Sequence, residues 1–259
     1  MKLKIPIYFV SIALIFSSLI NMSYAASDGM NWYIKRSGHS CPAIEKTQEI
    51  IEDYGGFYID KKSCELDRKI IYLTFDAGYE NGNVEKILDT LLQKKVVAAF
   101  FLLDNIIIKN KELVTRMVDE GHLVCNHTKN HKDLTKCSDV EIETNIRSLE
   151  KIYEDNIGRK LSQFFRFPEG KYSISAMKKV ADMGYKTVFW SFAYADWDNG
   201  KQPTEEYARK LIIENTHPGE IILLHPTSST NAKILPMLID EWRSMGYDFG
   251  SLEDVELGF

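Results

Sequence analysis

Cysteine is scarce in this chain, with four among 259 residues, and no Cys-x-x-Cys spacing supports a zinc knuckle. Positive charge is in deficit too: 32 Lys and Arg face 37 Asp and Glu, a formal net charge of −5. That balance excludes nucleic acid as a partner, because phosphate backbones are held by a field of Lys and Arg. Neither Gly-x-Gly-x-x-Gly nor the Gly-x-x-x-x-Gly-Lys loop follows any apolar run, so the usual nucleotide sites of open α/β sheets have no signature. With 15 Gly, 7 Pro and 27% charged residues, collagenous, low-complexity and disordered classes are also out.

One long apolar run stands at the N-terminus. Lys2 and Lys4 precede Ile5 to Ile20, and Ser23-Tyr24-Ala25 supplies small residues at the −3 and −1 positions of a signal-peptidase site. The run is shorter than the roughly 20 residues a spanning helix prefers. Residues 1–25 are therefore read as a secretory signal, with a retained anchor as the alternative and the only expected membrane contact. They hold two Lys and no acid, so the exported part moves from −5 to −7. Export permits disulfides, and Cys41, Cys64, Cys125 and Cys137 allow three pairings that sequence does not rank. Cys41 with Cys64 would staple an N-terminal arm; Cys125 reads as a buried hydrophobe, a partner for Cys137, or a soft metal ligand.

Residues 26–66 form that arm, irregular apart from a helix expected from Pro42 to Tyr54 and ended by Gly55-Gly56. Residues 67–259 read as one domain. Seven apolar runs, Ile70–Phe75, Ala98–Leu103, His122–Cys125, Gln163–Phe167, Thr187–Trp190, Ile221–His225 and Tyr247–Phe249, alternate with six amphipathic segments. The latter lie near Asn83–Lys94, Asn110–Glu120, Ser138–Tyr153, Ser173–Asp182, Thr204–Asn215 and Ala232–Met245. Such alternation means parallel strands joined by right-handed crossovers, in an open sheet or a barrel, and the missing nucleotide loops favour the barrel. The remainder is short of the roughly 250 residues of a complete eight-stranded barrel, which fits seven strands.

The strand ends carry reactive side chains: Asp76, the His127 and His131 pair, Arg166, Asp196 and His225. In an α/β barrel these ends form one face, so five segments converge there. Asp76, on a tight turn before Ala77-Gly78, suits a general base. His127 and His131, four apart, are expected on one face of a helical turn where both reach one cation. His225, between aliphatics and Pro226, is sensitive to a neighbouring carboxylate, for which Asp196 is the candidate. Arg166-Phe167-Pro168-Glu169-Gly170 sets a cation before a rigid turn that can present a backbone N–H to substrate. Tyr194 and Trp197 flank Asp196 as walls for a sugar ring, while Trp190 is assigned to the core.

In order, Thr74-Phe75-Asp76-Ala77-Gly78, His127-Thr128-x-x-His131, Arg166-Phe167-Pro168-Glu169-Gly170, Asp196-Trp197 and Leu223-Leu224-His225 resemble the five motifs of the polysaccharide deacetylases with a NodB homology domain, carbohydrate esterase family four. The resemblance implies a distorted seven-stranded (β/α) barrel that removes N-acetyl groups from glycans. It implies Asp76 as base, oriented by Arg166, and His225 as acid, tuned by Asp196. His127 and His131 would hold a divalent cation, zinc foremost, and the Glu169 N–H would meet the oxyanion. Pro168, Tyr194, Trp197 and Leu223 would lie on the substrate side. Gly78-Tyr79-Glu80-Asn81-Gly82, Asn31-Trp32-Tyr33 and Tyr54-Gly55-Gly56-Phe57-Tyr58 look like the branch acting on N-acetylmuramic acid in peptidoglycan, which makes the muramic δ-lactam of spore cortex. An exported monomer working on glycan strands in the cell wall or spore envelope is implied.

One departure stands out: Ala77 occupies the place of the Asp that serves such proteins as third metal ligand, leaving Glu80, Asn81 or water to substitute. Three alternatives follow. The substrate would be N-acetylglucosamine in peptidoglycan or a chitin-like glycan; the protein would be a catalytically weak glycan binder; or Asp76 and Asp196 would form a glycosidase carboxylate pair.

Overall fold

A computed structural model describes residues 29–256, so the expected signal segment lies outside the described residues. The arm contributes β1 (Met30–Asn31) and α1 (Lys61–Glu65). The domain continues through β2 (Ile70–Ala77), α2 (Val84–Lys94), β3 (Ala99–Leu102), α3 (Asp104–Lys109), α4 (Lys111–Asp119), β4 (Leu123–Asn126) and α5 (Asp139–Ile157). Then come β5 (Phe164–Phe165), β6 (Lys171–Tyr172), α6 (Ile174–Asp182), β7 (Lys186–Thr187), β8 (Phe192–Ala193), α7 (Glu205–Glu214), β9 (Glu220–Leu224), α8 (Ser229–Ser244) and β10 (Asp248–Phe249).

The main sheet is parallel and runs β7-β5-β4-β3-β2-β9-β8, a curled path of seven strands, as the alternation predicts. Its membership differs by one strand. β8, two residues long, is too short to leave a periodic signal, and β10 lies off the path, pairing with Ile70 and Ile71 of β2. β3 takes the same edge of β2 further along, at Thr74 to Ala77. The arm helix is also shorter than expected: a 3-10 helix spans Lys46–Tyr54, because Glu45 and Gln48 form a capping box that starts it there. Gly55, at φ 67°, ends it in the left-handed conformation.

Residue parity along β2 sorts the two faces. Ile71, Leu73, Phe75 and Ala77 pack outward against α2 residues such as Val84, Ile87 and Leu91. Tyr72 packs inward with Ala99, Phe101, Cys125 and Ile221. Asp76 continues that inner row, since Thr74, between them, sends its hydroxyl to the Ile222 carbonyl across the β2–β9 pair, 2.7 Å away. Cys125 is thus a buried hydrophobe on the inner face, with its thiol pushed up by burial. Cys41 and Cys64 form the disulfide, their Cα atoms 6.0 Å apart, and Cys125 and Cys137 are free thiols.

Candidate active site

Asp76 sits near the C-terminal end of β2 and is held by Arg166. Arg166, fully buried one residue past β5, donates Nη1–H to Asp76 Oδ1 at 2.8 Å. Backbone fixes two more of its donors: Nε reaches the Val188 carbonyl at 3.0 Å and Nη2 the Phe189 carbonyl at 3.3 Å. The guanidinium lies 4.1 Å from the Phe101 ring centroid, a cation–π contact from the inner face of β3. Burial alone would raise the Asp76 carboxyl, but the Arg166 charge and hydrogen bond, with the His225 imidazolium behind them, outweigh it and keep its pKa below the usual value. Asp76 is therefore ionised at neutral pH.

His225 follows β9 on the opposite side. Its Nδ1 donates to Asp196 Oδ1 at 2.7 Å, and its backbone N–H to Asp196 Oδ2 at 2.8 Å. Burial would lower the imidazole pKa; the Asp196 charge and hydrogen bond overcome that and raise it. Asp196 is fully buried, and Asn231 Nδ2 donates to the same Oδ2 at 2.6 Å. Both carboxylate oxygens are taken, which removes Asp196 as an open partner in a glycosidase pair. Asn231 was invisible in the sequence, because Ser228-Ser229-Thr230-Asn231 reads equally as the start of a helix. Ser228 does cap α8; Asn231 additionally braces Asp196, His225 and the Tyr194 hydroxyl.

Against His225 lies a cavity of about 500 Å³ whose wall includes six of the predicted residues, His131, Glu169, Tyr194, Trp197, Leu223 and His225, while Asp76, His127, Arg166 and Asp196 are not part of that wall. Trp197 is 61% exposed and stands edge-on to the His225 ring at 6.5 Å. Tyr194 is nearly buried and its hydroxyl is engaged by Asn231, so it braces the site more than it offers a sugar platform. Pro168 is buried behind the wall. Trp190 packs against the core as expected and, only partly buried, also lines the cavity beside Ala193. Glu169 adopts φ 56°, a left-handed backbone followed by Gly170 at φ 65°. Its side chain is paired with Lys171 at 2.7 Å.

The histidine pair departs from expectation in its backbone. Residues 127–131 form no helical turn: Thr128 and His131 take φ of 71° and 59°. The Asn126 side chain accepts the Thr128 N–H at 2.9 Å, a local turn that competes with helix initiation. The two rings still meet, with centroids 5.1 Å apart. His127 Nδ1 faces the Arg166 carbonyl at 2.9 Å and must carry the proton, which leaves Nε2 a lone pair. Burial pushes His127 down to about 4, so it stays neutral. That lone pair faces Asp76 Oδ2 at 3.5 Å. A lone pair set against a carboxylate oxygen, with an exposed imidazole alongside, offers the donor types a divalent cation takes, but the ligand atoms of Asp76, His127 and His131 are not drawn together as in an assembled metal site. Ala77 is buried in the outer apolar layer and offers no donor. Asn81 donates its Nδ2–H to the Thr227 carbonyl at 2.9 Å, and Glu80 accepts the Gly82 N–H on one carboxylate oxygen while the other is buried without a partner.

The family model for polysaccharide deacetylases matches residues 64–188. Over 232 residues the chain is 37% identical to the peptidoglycan-N-acetylmuramic acid deacetylase PdaA of Bacillus subtilis, covering 88% of this chain and 86% of that one. A peptidoglycan-N-acetylglucosamine deacetylase of Bacillus cereus is 33% identical over 198 residues, covering 73% and 89%. The solved structure of Bacillus subtilis PdaA, described as a family 4 carbohydrate esterase, superposes with a TM-score of 0.84 at 36% identity, covering 88% of this chain and 97% of that one. Similarity over nearly the whole of both chains, on a barrel whose strand ends converge as described, places the chain in the polysaccharide deacetylase family, the family 4 carbohydrate esterases, which hydrolyse N-acetyl groups.

Proposed function

We propose that this chain removes the acetyl group from N-acetylmuramic acid residues of peptidoglycan. One observation carries the chemistry: two titratable groups, Asp76 and His225, belong to one site and are pushed in opposite directions by their surroundings. Asp76, kept ionised by Arg166, takes a proton from the attacking water. The Glu169 N–H, turned by its left-handed backbone, meets the oxygen that becomes negative as the carbonyl carbon turns tetrahedral. His225, protonated through Asp196, delivers a proton to the departing amine, and acetate and a free amino sugar leave. His127 Nε2 and His131, with Asp76 Oδ2 adjacent, would hold a divalent cation such as zinc, whose chemistry is to polarise the acetamide carbonyl.

The muramic choice rests on the similarity to PdaA, and N-acetylglucosamine is the second reading because a relative is named for it. Export by residues 1–25, an arm of residues 26–66 ahead of a domain at 67–259, a monomeric state and a place in spore-cortex synthesis belong to the same proposal. The deciding experiment is mass spectrometry of peptide-free peptidoglycan strands after incubation with the enzyme. Loss of an acetyl group from muramic residues is expected, and loss only from glucosamine residues would refute the substrate. Asp76→Asn should abolish the loss while glycan affinity persists; a wild-type protein with no activity to lose would favour the glycan-binding reading.

A further inference from the structure

The geometry points to Trp32, in the N-terminal arm, as a positioning residue that holds the oxyanion turn in its left-handed shape. This rests on the proposed role of the Glu169 N–H and adds the device that fixes it. The turn is conformationally costly: Glu169, a residue with a Cβ, sits at φ 56° and needs surrounding contacts to stay there. Trp32 supplies them from outside the barrel. Its backbone N–H donates to the Gly170 carbonyl at 2.8 Å, directly after Glu169. Its indole Nε1–H donates to the Trp190 carbonyl at 2.9 Å, on the cavity wall. The indole stacks on Phe189 at 4.5 Å between centroids, and the Phe189 carbonyl accepts from Arg166, which holds Asp76.

Two further features show that the fit is close. A Cβ built on Gly170 would lie 3.0 Å from Trp32 Cβ and 2.8 Å from Trp190 Cη2, so only glycine admits both indoles beside the turn. β1 pairs antiparallel with β6, setting Met30 opposite Tyr172 and Asn31 opposite Lys171, and Lys171 holds the Glu169 carboxylate. The arm therefore reaches the turn from its backbone and, through Lys171, from its side chain.

The test compares Trp32→Phe, Trp32→Ala and Gly170→Ala on peptide-free peptidoglycan strands, with thermal unfolding measured for each. Trp32→Ala should lower kcat about 100-fold with KM within about twofold, the signature of a contact made only in the transition state. Trp32→Phe keeps the stacking and loses one donor, so it should fall on the order of tenfold and decide alone if the alanine variant does not fold. Amide exchange at Glu169 and Gly170 should quicken in both. Wild-type kcat in the Trp32 variants, or a rise in KM alone, overturns the positioning role. An unchanged kcat in folded Gly170→Ala instead overturns the oxyanion role of the turn itself.

Discussion

Asp196 grips His225 twice, at the ring Nδ1 by 2.7 Å and at the backbone N–H by 2.8 Å, from a position with no solvent exposure. The pair fixes the imidazole tautomer, keeping the proton on Nδ1 and orienting Nε2 for exchange with substrate. Asp196→Asn removes the charge that raises His225, so the imidazole deprotonates at lower pH. The reaction needs His225 protonated, so the basic limb of the kcat profile should move to lower pH, with activity down on the order of 100-fold. An unmoved limb in the folded variant would dissociate Asp196 from the acid role.

Much of this site was legible because strand ends in a parallel barrel share one face and because Asp76 and His225 are costly residues to leave there without purpose. Parity then does the sorting: Asp76 follows Tyr72 and Thr74 on the inner face, and His225 follows Leu223. What escaped reading has physical reasons. Trp190 ends an apolar run, and aromatic packing in a core looks the same in sequence as an aromatic cavity wall. Thr128 is β-branched and rarely adopts positive φ, so nothing in the chain announced the turn that replaces a helix between the histidines. Asn231 hides in a capping sequence.

The donor set at His127 and His131 predicts a weak divalent site. Ala77 supplies no carboxylate as third ligand, and His131 is exposed, so both the number and the rigidity of ligands are low. Chelation should lower deacetylation and zinc should restore it. His131→Ala, at an exposed position, should leave the fold intact and weaken zinc binding about 10- to 100-fold in equilibrium dialysis. Wild-type protein that binds no divalent cation, yet deacetylates at full rate, would remove the metal from the mechanism.

His122 makes a stability prediction away from the site. Its Nδ1 accepts the Ala98 N–H at 3.2 Å, its buried Nε2 makes no hydrogen bond and has the Glu120 carboxylate 3.9 Å away, and burial pushes the imidazole down to about 4. An unfolded histidine titrates near 6.5. Between those values the unfolded chain binds the extra proton, so this residue lowers stability as pH falls through that window, and the loss levels off below about 4. The full effect is on the order of 3 kcal/mol. His122→Asn offers an oxygen to the same Ala98 N–H without titrating, so the slope of unfolding free energy against pH should flatten by about one proton over that range. Equal slopes for both proteins in urea titrations would contradict the assignment.

The disulfide between Cys41 and Cys64 closes a stretch separated by 23 residues, with both sulfurs beside the Pro218 carbonyl just before β9. It secures the arm at a point beyond Trp32, and the intervening residues 33–40 contain no helix or strand to hold them otherwise. By loop-closure entropy, a cross-link of this span stabilises the fold by about 3 kcal/mol. In a chain of this size, replacing both cysteines by serine should lower Tm by about 5–10 °C. The expected loss is concentrated in the arm, because the main sheet, from β7 through β2 to β8 with β10 on β2, keeps its pairing and helix packing without it. Limited proteolysis should therefore cut residues 33–60 of the serine variant before any site in the barrel. A variant that melts at the wild-type temperature and resists cleavage there would mean that the β1–β6 pairing and the Trp32 contacts are sufficient to dock the arm.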